Sequence, residues 1–413
     1  MIMKSTRSLH RKDALPPRAP RYALTLLRSV ALALAIAVLA PIHPAAVAAE
    51  RERAKRMYDR LTGTPPSPAL LDELTTKVAN EGDLAAALYI LDPASSRSSA
   101  FYSVTLKNFA TPWTNRDQTV FAPLNDYTAT VIGMVRDNKD FRTVLSADIV
   151  YIGNGASPAY SNTNNDHYAA LESNNADLRD VLVERTQSSL TGLPATATAG
   201  IITSRAASEA FFIDGTNRAM FRFTLLNHLC RDMEQVHDTS RPPDRIRQDV
   251  TRSPGGDSSV FNNNCIGCHN GMDPLAQAFA YYDFDETVQR LVYTPGQVQP
   301  KYLINADNFK YGYVTPNDSW ENRWRLPGQN ELLGWSSSLP GNGAGAKSLG
   351  QELANSEAFA QCQVEKVFRA VCFRSPSDAT DRGRVSQILS TFKSSNYSLK
   401  TVFAETAVYC AGL

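Results

Sequence analysis

Cys265, Cys268 and His269 stand together in the segment FNNNCIGCHNGMDPLAQAFAYYDF (261–284), two thiols separated by two residues with an imidazole directly after the second. Four kinds of chemistry use thiols at such spacing: covalent haem attachment, a zinc site, a redox dithiol and a plain disulfide. C-x-x-C-H meets the demands of c-type haem most fully. Both thiols add to the haem vinyl groups, and the adjacent histidine supplies the proximal nitrogen to iron. The two intervening residues set the sulfurs at the vinyl positions, while the next side chain turns back over the ring. With six cysteines and six histidines in 413 residues, composition alone would produce the pattern roughly 0.001 times per chain.

The competing chemistries lack their partners. Zinc held through C-x-x-C needs a second ligand pair at close spacing, and Cys362 and Cys372 are distant and wrongly spaced. A thioredoxin-like dithiol expects a βαβ setting, which the helical patterning of this chain does not provide. The reading is one covalent haem c, with Cys265 and Cys268 as the thioether positions and His269 as the proximal axial ligand to iron. Its role turns on the sixth ligand. The candidates are Met134, His167, Met220, His228, Met233 and His237, whereas Met272, three residues after His269, stays on the proximal side. Two protein ligands imply electron transfer to or from a redox partner protein. An open sixth position implies a peroxidase-like enzyme, and a redox-silent haem a structural or surface-binding protein. Arg241, Arg245, Arg247 and Arg252, in the loop leading to the motif, either pair with haem propionates or belong to a solvated loop.

The elements that must position this motif begin with a segment that does not belong to the mature fold. The first 48 residues carry seven basic side chains, Lys4, Arg7, Arg11, Lys12, Arg18, Arg21 and Arg28, against Asp13 alone. An apolar run from Val30 to Ala40 follows, and then the small-residue pattern Ala46-Val47-Ala48. That order reads as a cleaved signal peptide, residues 1–48, and the run is short for a spanning helix of ~20 residues. The mature chain is then periplasmic or secreted, without a membrane span. Its formal net charge drops from +1 to about −5, which leaves no nucleic-acid footprint. Export also permits disulfides among Cys230, Cys362, Cys372 and Cys410. Cys362 and Cys372 fall within one predicted helix, where ten residues span ~15 Å. A disulfide needs Cα atoms within ~7 Å, so that pairing is excluded and Cys410 pairs with Cys362 or Cys372.

Hydrophobic periodicity predicts helices along most of the chain. Ser67 and Pro68 supply an N-cap and a first-turn proline ahead of Leu70, Leu71, Leu74 and Val78 at helical spacing. Helical patterning runs from Leu124 to Ile152, resumes over 168–190 after an Asn/Ser/Gly-rich loop, and returns over 204–236 as one helix or a pair. Asp273 and Pro274 read as another cap and first-turn proline, which start a helix with Leu275, Phe279 and Tyr282 on one face. The glycine-rich 341–346 lacks the strand-to-helix setting and the Lys-Ser/Thr of a P-loop. The fold class expected is mainly α, a multi-helix bundle enclosing the haem site with an irregular aromatic, Pro/Gly-rich insert. The divisions are an N-terminal helical domain (49–193), a haem c-binding domain (194–295), the insert (296–345) and a C-terminal helical domain (346–413).

On these residues the chain resembles a family. CIGCHNGMDPLAQAFAYYDF is similar to the C-x-x-C-H-x-x-x-D-P-L haem segment of the planctomycete-type cytochrome-like family, a set of domains from secreted c-type cytochrome proteins. RLTGTPPSPALLDEL, FRTVLSADIVYI and AGIITSRAASEAF resemble its earlier segments in the same order, and the stretch from 349 to 407 resembles its C-terminal helical domain. The resemblance implies c-type haem and an extracytoplasmic site, and little about reaction. The chain departs from the pattern in its aromatic insert and in Cys230 and Cys410.

Overall fold

The computed structural model describes residues 44–303, 309–328 and 330–412. The basic and apolar parts of the segment read as a signal lie outside the described residues. The fold is mainly helical, 57% helix against 7% strand, in keeping with the α class. Residues Glu50–Leu413 make one compact unit.

The N-terminal half begins with helices α1 (Pro44–Thr62), α2 (Pro68–Glu81) and α3 (Asp83–Ile90). Ser67 accepts a hydrogen bond from the Leu70 amide and Pro68 opens α2, which buries Leu74 and Val78. Gly82, at φ 87°, ends α2 and turns the chain into α3. Helix α4 (Asp126–Arg136) is buried along almost its whole length, including Asp126, Thr128 and Thr130, as a helix at the centre of a core must be. The helical pattern expected to continue to Ile152 stops at Arg136. Asn138 takes a left-handed φ of 53°, a short turn covers Phe141–Leu145, and the chain straightens into β1 (Val150–Gly153). After α5 (Asp166–Ser173) the second expected helical stretch likewise gives way to β2 (Leu182–Arg185), antiparallel to β1 with Ile152 opposite Val183. The β-branched residues of these two short runs favour the pleated pairing.

The 204–236 segment is a pair, α6 (Arg205–Phe211) and α7 (Arg218–Leu229). Helix α8 (Ile266–Ala276) carries the C-x-x-C-H motif, and β3 (Tyr282–Asp285) pairs antiparallel with β4 (Arg290–Tyr293) behind it. The insert forms β5 (Ser319–Glu321) and β6 (Asn342–Ala344) and buries Trp320, Trp324 and Trp335. Helices α9 (Gly345–Ala354), α10 (Glu357–Cys372), α11 (Ala379–Ser394) and α12 (Leu399–Ala411) complete the fold. Side chains of Ser356, Asp378 and Ser398 cap the last three. Helix α12 packs on α3 and α4, and α10 on α7, so segments far apart in sequence share one core. Phe403 of α12 meets Phe101 edge-on at 5.0 Å.

Two disulfides tie these packings. Cys230–Cys362 joins the end of α7 to α10, with Cα atoms 5.3 Å apart. Cys372–Cys410 joins α10 to α12 at 5.5 Å. Cys362 and Cys372 lie in one helix and do not pair, and of the two partners open to Cys410 the fold selects Cys372. The Cys372–Cys410 bond closes a loop with a separation of 38 residues, for which the chain-entropy account gives about 4 kcal/mol. Cys372→Ala/Cys410→Ala is expected to lower the free energy of urea unfolding by that amount. An unchanged unfolding midpoint would mean the bond adds nothing to the α10–α12 packing.

Candidate haem-attachment site

The motif lies on one continuous helical stretch. Asp257 caps its start by accepting from the Ser259 amide, a π-helical turn spans Phe261–Cys265, and α8 follows. π-Turns inside helices often accompany functional sites. Cys265, Cys268 and His269, spaced i, i+3 and i+4, therefore project from the same face. The opposite face is closed by packing. A Cβ at Gly267 would collide with the His237 ring, and one at Gly271 with the Trp324 indole. The Asp238 amide donates to Gly267 O (3.0 Å), and Asn270 Nδ2 to Asp238 O (2.7 Å). The glycines thus let the 237–241 segment and the insert press against the back of the helix.

Cys265 and Cys268 are half-buried and outside any disulfide. The Cys268 Sγ–H points to Met233 O at 3.6 Å. Burial pushes the Cys268 thiol up, helped by nearby Glu234. His269 Nδ1 lies 3.2 Å from Asp273 Oδ1, one helical turn on. The Asp273 side chain is 0% exposed and ion-paired on both oxygens. Arg218 Nε donates to Oδ1 (2.7 Å) and Nη2 to Oδ2 (2.9 Å), while the Arg247 amide donates to Oδ2 (3.2 Å). Arg218 forks in turn onto Asp249 at 2.5 and 2.9 Å. Burial opposes ionisation of Asp273, but Arg218 and Arg247 outweigh it and hold the carboxyl well below the usual carboxylate range. An ionised Asp273 accepts from His269 Nδ1–H and leaves Nε2 as the coordinating nitrogen. Two free thiols and an imidazole oriented through a carboxylate form the donor set that covalent haem requires.

This arrangement corrects the expectation of a helix beginning at Asp273-Pro274. Both residues sit inside α8; the Asp273 carboxylate is drawn to the two guanidiniums instead of capping backbone amides. Leu275 and Phe279 are core, but Tyr282 belongs to β3. The Arg218–Asp249–Asp273–Arg247 cluster was not singled out from sequence. Asp273, four residues after His269, was its one legible sign; Arg218, 55 residues away, has none.

The sixth-ligand candidates disperse. His167 is buried with both ring nitrogens engaged, Nε2 accepting from the Gly153 amide (2.8 Å) and Nδ1 at 2.7 Å from Pro158 O. His228 is a core histidine, Nε2 2.7 Å from the Tyr127 hydroxyl, and burial pushes its pKa well down. Met134 is fully buried in α4, and Met220 Sδ accepts from Thr224 Oγ1 at 3.6 Å. His237 lies against Gly267, behind the motif face. Met233 alone of the six has its backbone against a motif thiol.

The four loop arginines all contact protein groups; Arg241 and Arg247 are buried, and Arg245 and Arg252 partly exposed. Arg241 pairs with Asp238 (3.1 Å), Arg247 is buried at 3.6 Å from Asp273, and Arg245 lies over the Tyr313 ring at 4.7 Å. Arg252 donates to Ile246 O (2.9 Å) and lies 4.2 Å over the Phe309 ring. Beside them opens a groove of about 580 Å³, lined by Phe261, Asn262, Arg252, Phe309 and Tyr313. Phe261 lies one turn before Cys265. Among the described residues, no three or more His, Cys, Asp or Glu side chains gather as a metal cage, and no helix is long and apolar enough to cross a membrane. Compared with protein-family models, with characterised proteins and with solved structures, the chain matches none.

Proposed function

We propose that this protein carries one covalent haem c on α8 and works as an exported c-type cytochrome-like electron-transfer protein. The observation that carries the proposal is the shared face of free Cys265, free Cys268 and His269, with His269 Nδ1 held at a buried carboxylate. Haem held there would supply a one-electron couple. Cys265 and Cys268 would anchor its edge, and His269 Nε2 would approach the metal from the α8 side. The aromatic groove beginning at Phe261 offers apolar surface next to the anchor. The two disulfides suit an oxidising compartment outside the cytoplasm, as does the basic-then-apolar leader. The haem-segment resemblance agrees in motif and order. The electron would pass to or from a redox partner protein.

A second reading, a peroxide- or gas-binding haem protein with an open sixth position, draws on the dispersal of candidate ligands. Five of the six are committed elsewhere or lie behind the helix. Absorption spectra of the protein, matured in a periplasm with haem-attachment machinery, separate the readings. A low-spin c-type spectrum unmoved by cyanide or carbon monoxide is expected for the electron carrier, with Met233 the first ligand to replace. A high-spin spectrum that shifts with either ligand would favour the second reading. A protein without covalent haem would remove both.

A further inference from the structure

The carboxylate behind His269 is more firmly built than orientation of a ring demands. Asp273 is 0% exposed, and each of its oxygens is held: Oδ1 by Arg218 Nε and His269, Oδ2 by Arg218 Nη2 and the Arg247 amide. Arg218 cannot swing aside, because its other edge is forked onto Asp249. The cluster has two carboxylates and two guanidiniums and is formally neutral, but its charges are not equivalent toward His269. The Asp273 carboxylate touches the imidazole directly, whereas the guanidiniums act on it through that carboxylate, Arg218 Nε and Arg247 Nη2 sharing Oδ1 with His269.

We propose that Asp273 is the positioning residue of His269 and that its anion tunes the proximal ligand, holding the iron couple toward the oxidised form; this rests on the haem assignment above. A carboxylate accepting from Nδ1–H raises the basicity of the coordinating imidazole and fixes its tautomer and ring plane. A more basic ligand stabilises the more positive metal state, so the reduction potential is lower than with a neutral acceptor. Removing the Asp273 charge loses that donation and leaves Arg218 and Arg247 opposed by Asp249 alone. Both consequences favour the reduced form.

The experiment is redox titration of the haem-loaded full chain as wild type, Asp273→Asn and Asp249→Asn. Asp249→Asn makes the same change in cluster charge without touching His269, so it reports what charge at a distance does. Asp273→Asn is expected to shift the oxidised-to-reduced equilibrium about tenfold toward reduced, ~59 mV for one electron, and Asp249→Asn by clearly less. Equal shifts would assign the effect to distant charge, and an unchanged Asp273→Asn potential would assign Asp273 a purely structural part; either overturns the proposal. Should Asp273→Asn fail to fold, wild-type protein labelled with ¹⁵N-histidine decides. The His269 Nδ1–H signal is expected to resist exchange with deuterium, as a bond to a buried carboxylate requires, and rapid exchange would overturn the proposal. Haem-free wild type would defeat the haem assignment and this proposal together, whereas loaded wild type with an unmoved Asp273→Asn potential defeats this proposal alone.

Discussion

Cys265→Ala/Cys268→Ala, matured with haem-attachment machinery, is expected to lose all haem staining on a denaturing gel, while each single variant keeps a weaker band through one thioether. The effect should be all-or-none because covalent attachment has no other free thiol to use. The four remaining cysteines are paired in disulfides. The loss should also come without unfolding. Both motif thiols are half-buried, Cys265 has no place in the hydrophobic core and Cys268 only borders it. Far-ultraviolet dichroism of the double variant should match that of the haem-free wild type, which separates loss of attachment from loss of fold. Staining that survives in the double variant would sink the assignment of these two thiols. An unstained wild type whose two thiols resist alkylation until reduced would return them to a disulfide.

What the sequence revealed of this site and fold follows how local each signal is. The C-x-x-C-H motif depends on three residues within one turn and was readable outright. So was the cap at Ser67–Pro68, which involves only neighbours, and so was the exclusion of a Cys362–Cys372 bond, which needs only the rise of a helix. Misreadings fell where a distant partner overrides local preference. Asp273-Pro274 has the composition of a helix start, yet Arg218 and Arg247 claim the carboxylate and the helix runs through it. Val150 and Ile152 continued a helical pattern on paper, but β2, some thirty residues on, offered them a ladder. Gly267 and Gly271 carry no local sign of their role in the sequence. Their meaning lies in His237 and Trp324, which occupy the space a side chain would fill. The sixth-ligand shortlist shows the same limit: Met and His are common on amphipathic helices, and only packing tells a core histidine such as His228 from a ligand.

Arg218→Ala is expected to cost about 3–5 kcal/mol of folding stability at neutral pH, the range for removing one partner from a buried ion pair. Arg218 is forked onto both Asp249 and Asp273. Without it two carboxylates, 8% and 0% exposed, face the interior with Arg247, His269 and the Thr216 hydroxyl as remaining partners. The cost should depend on pH with a definite sign. In the wild type, Asp273 is held below the usual carboxylate range. Its stabilisation is thus full above the unfolded value of ~3.9 and is lost as pH falls through the lower folded value. In Arg218→Ala burial has less opposition, so the folded-state pKa rises and the buried anion becomes a liability at pH 7 that protonation relieves. Unfolding free energies of wild type and variant should therefore lie farthest apart near pH 7 and converge toward pH 4. Urea titrations at the two pH values measure this directly. A difference of the same size at both would mean that Arg218 acts through packing, and the electrostatic account of the cluster would fall with it.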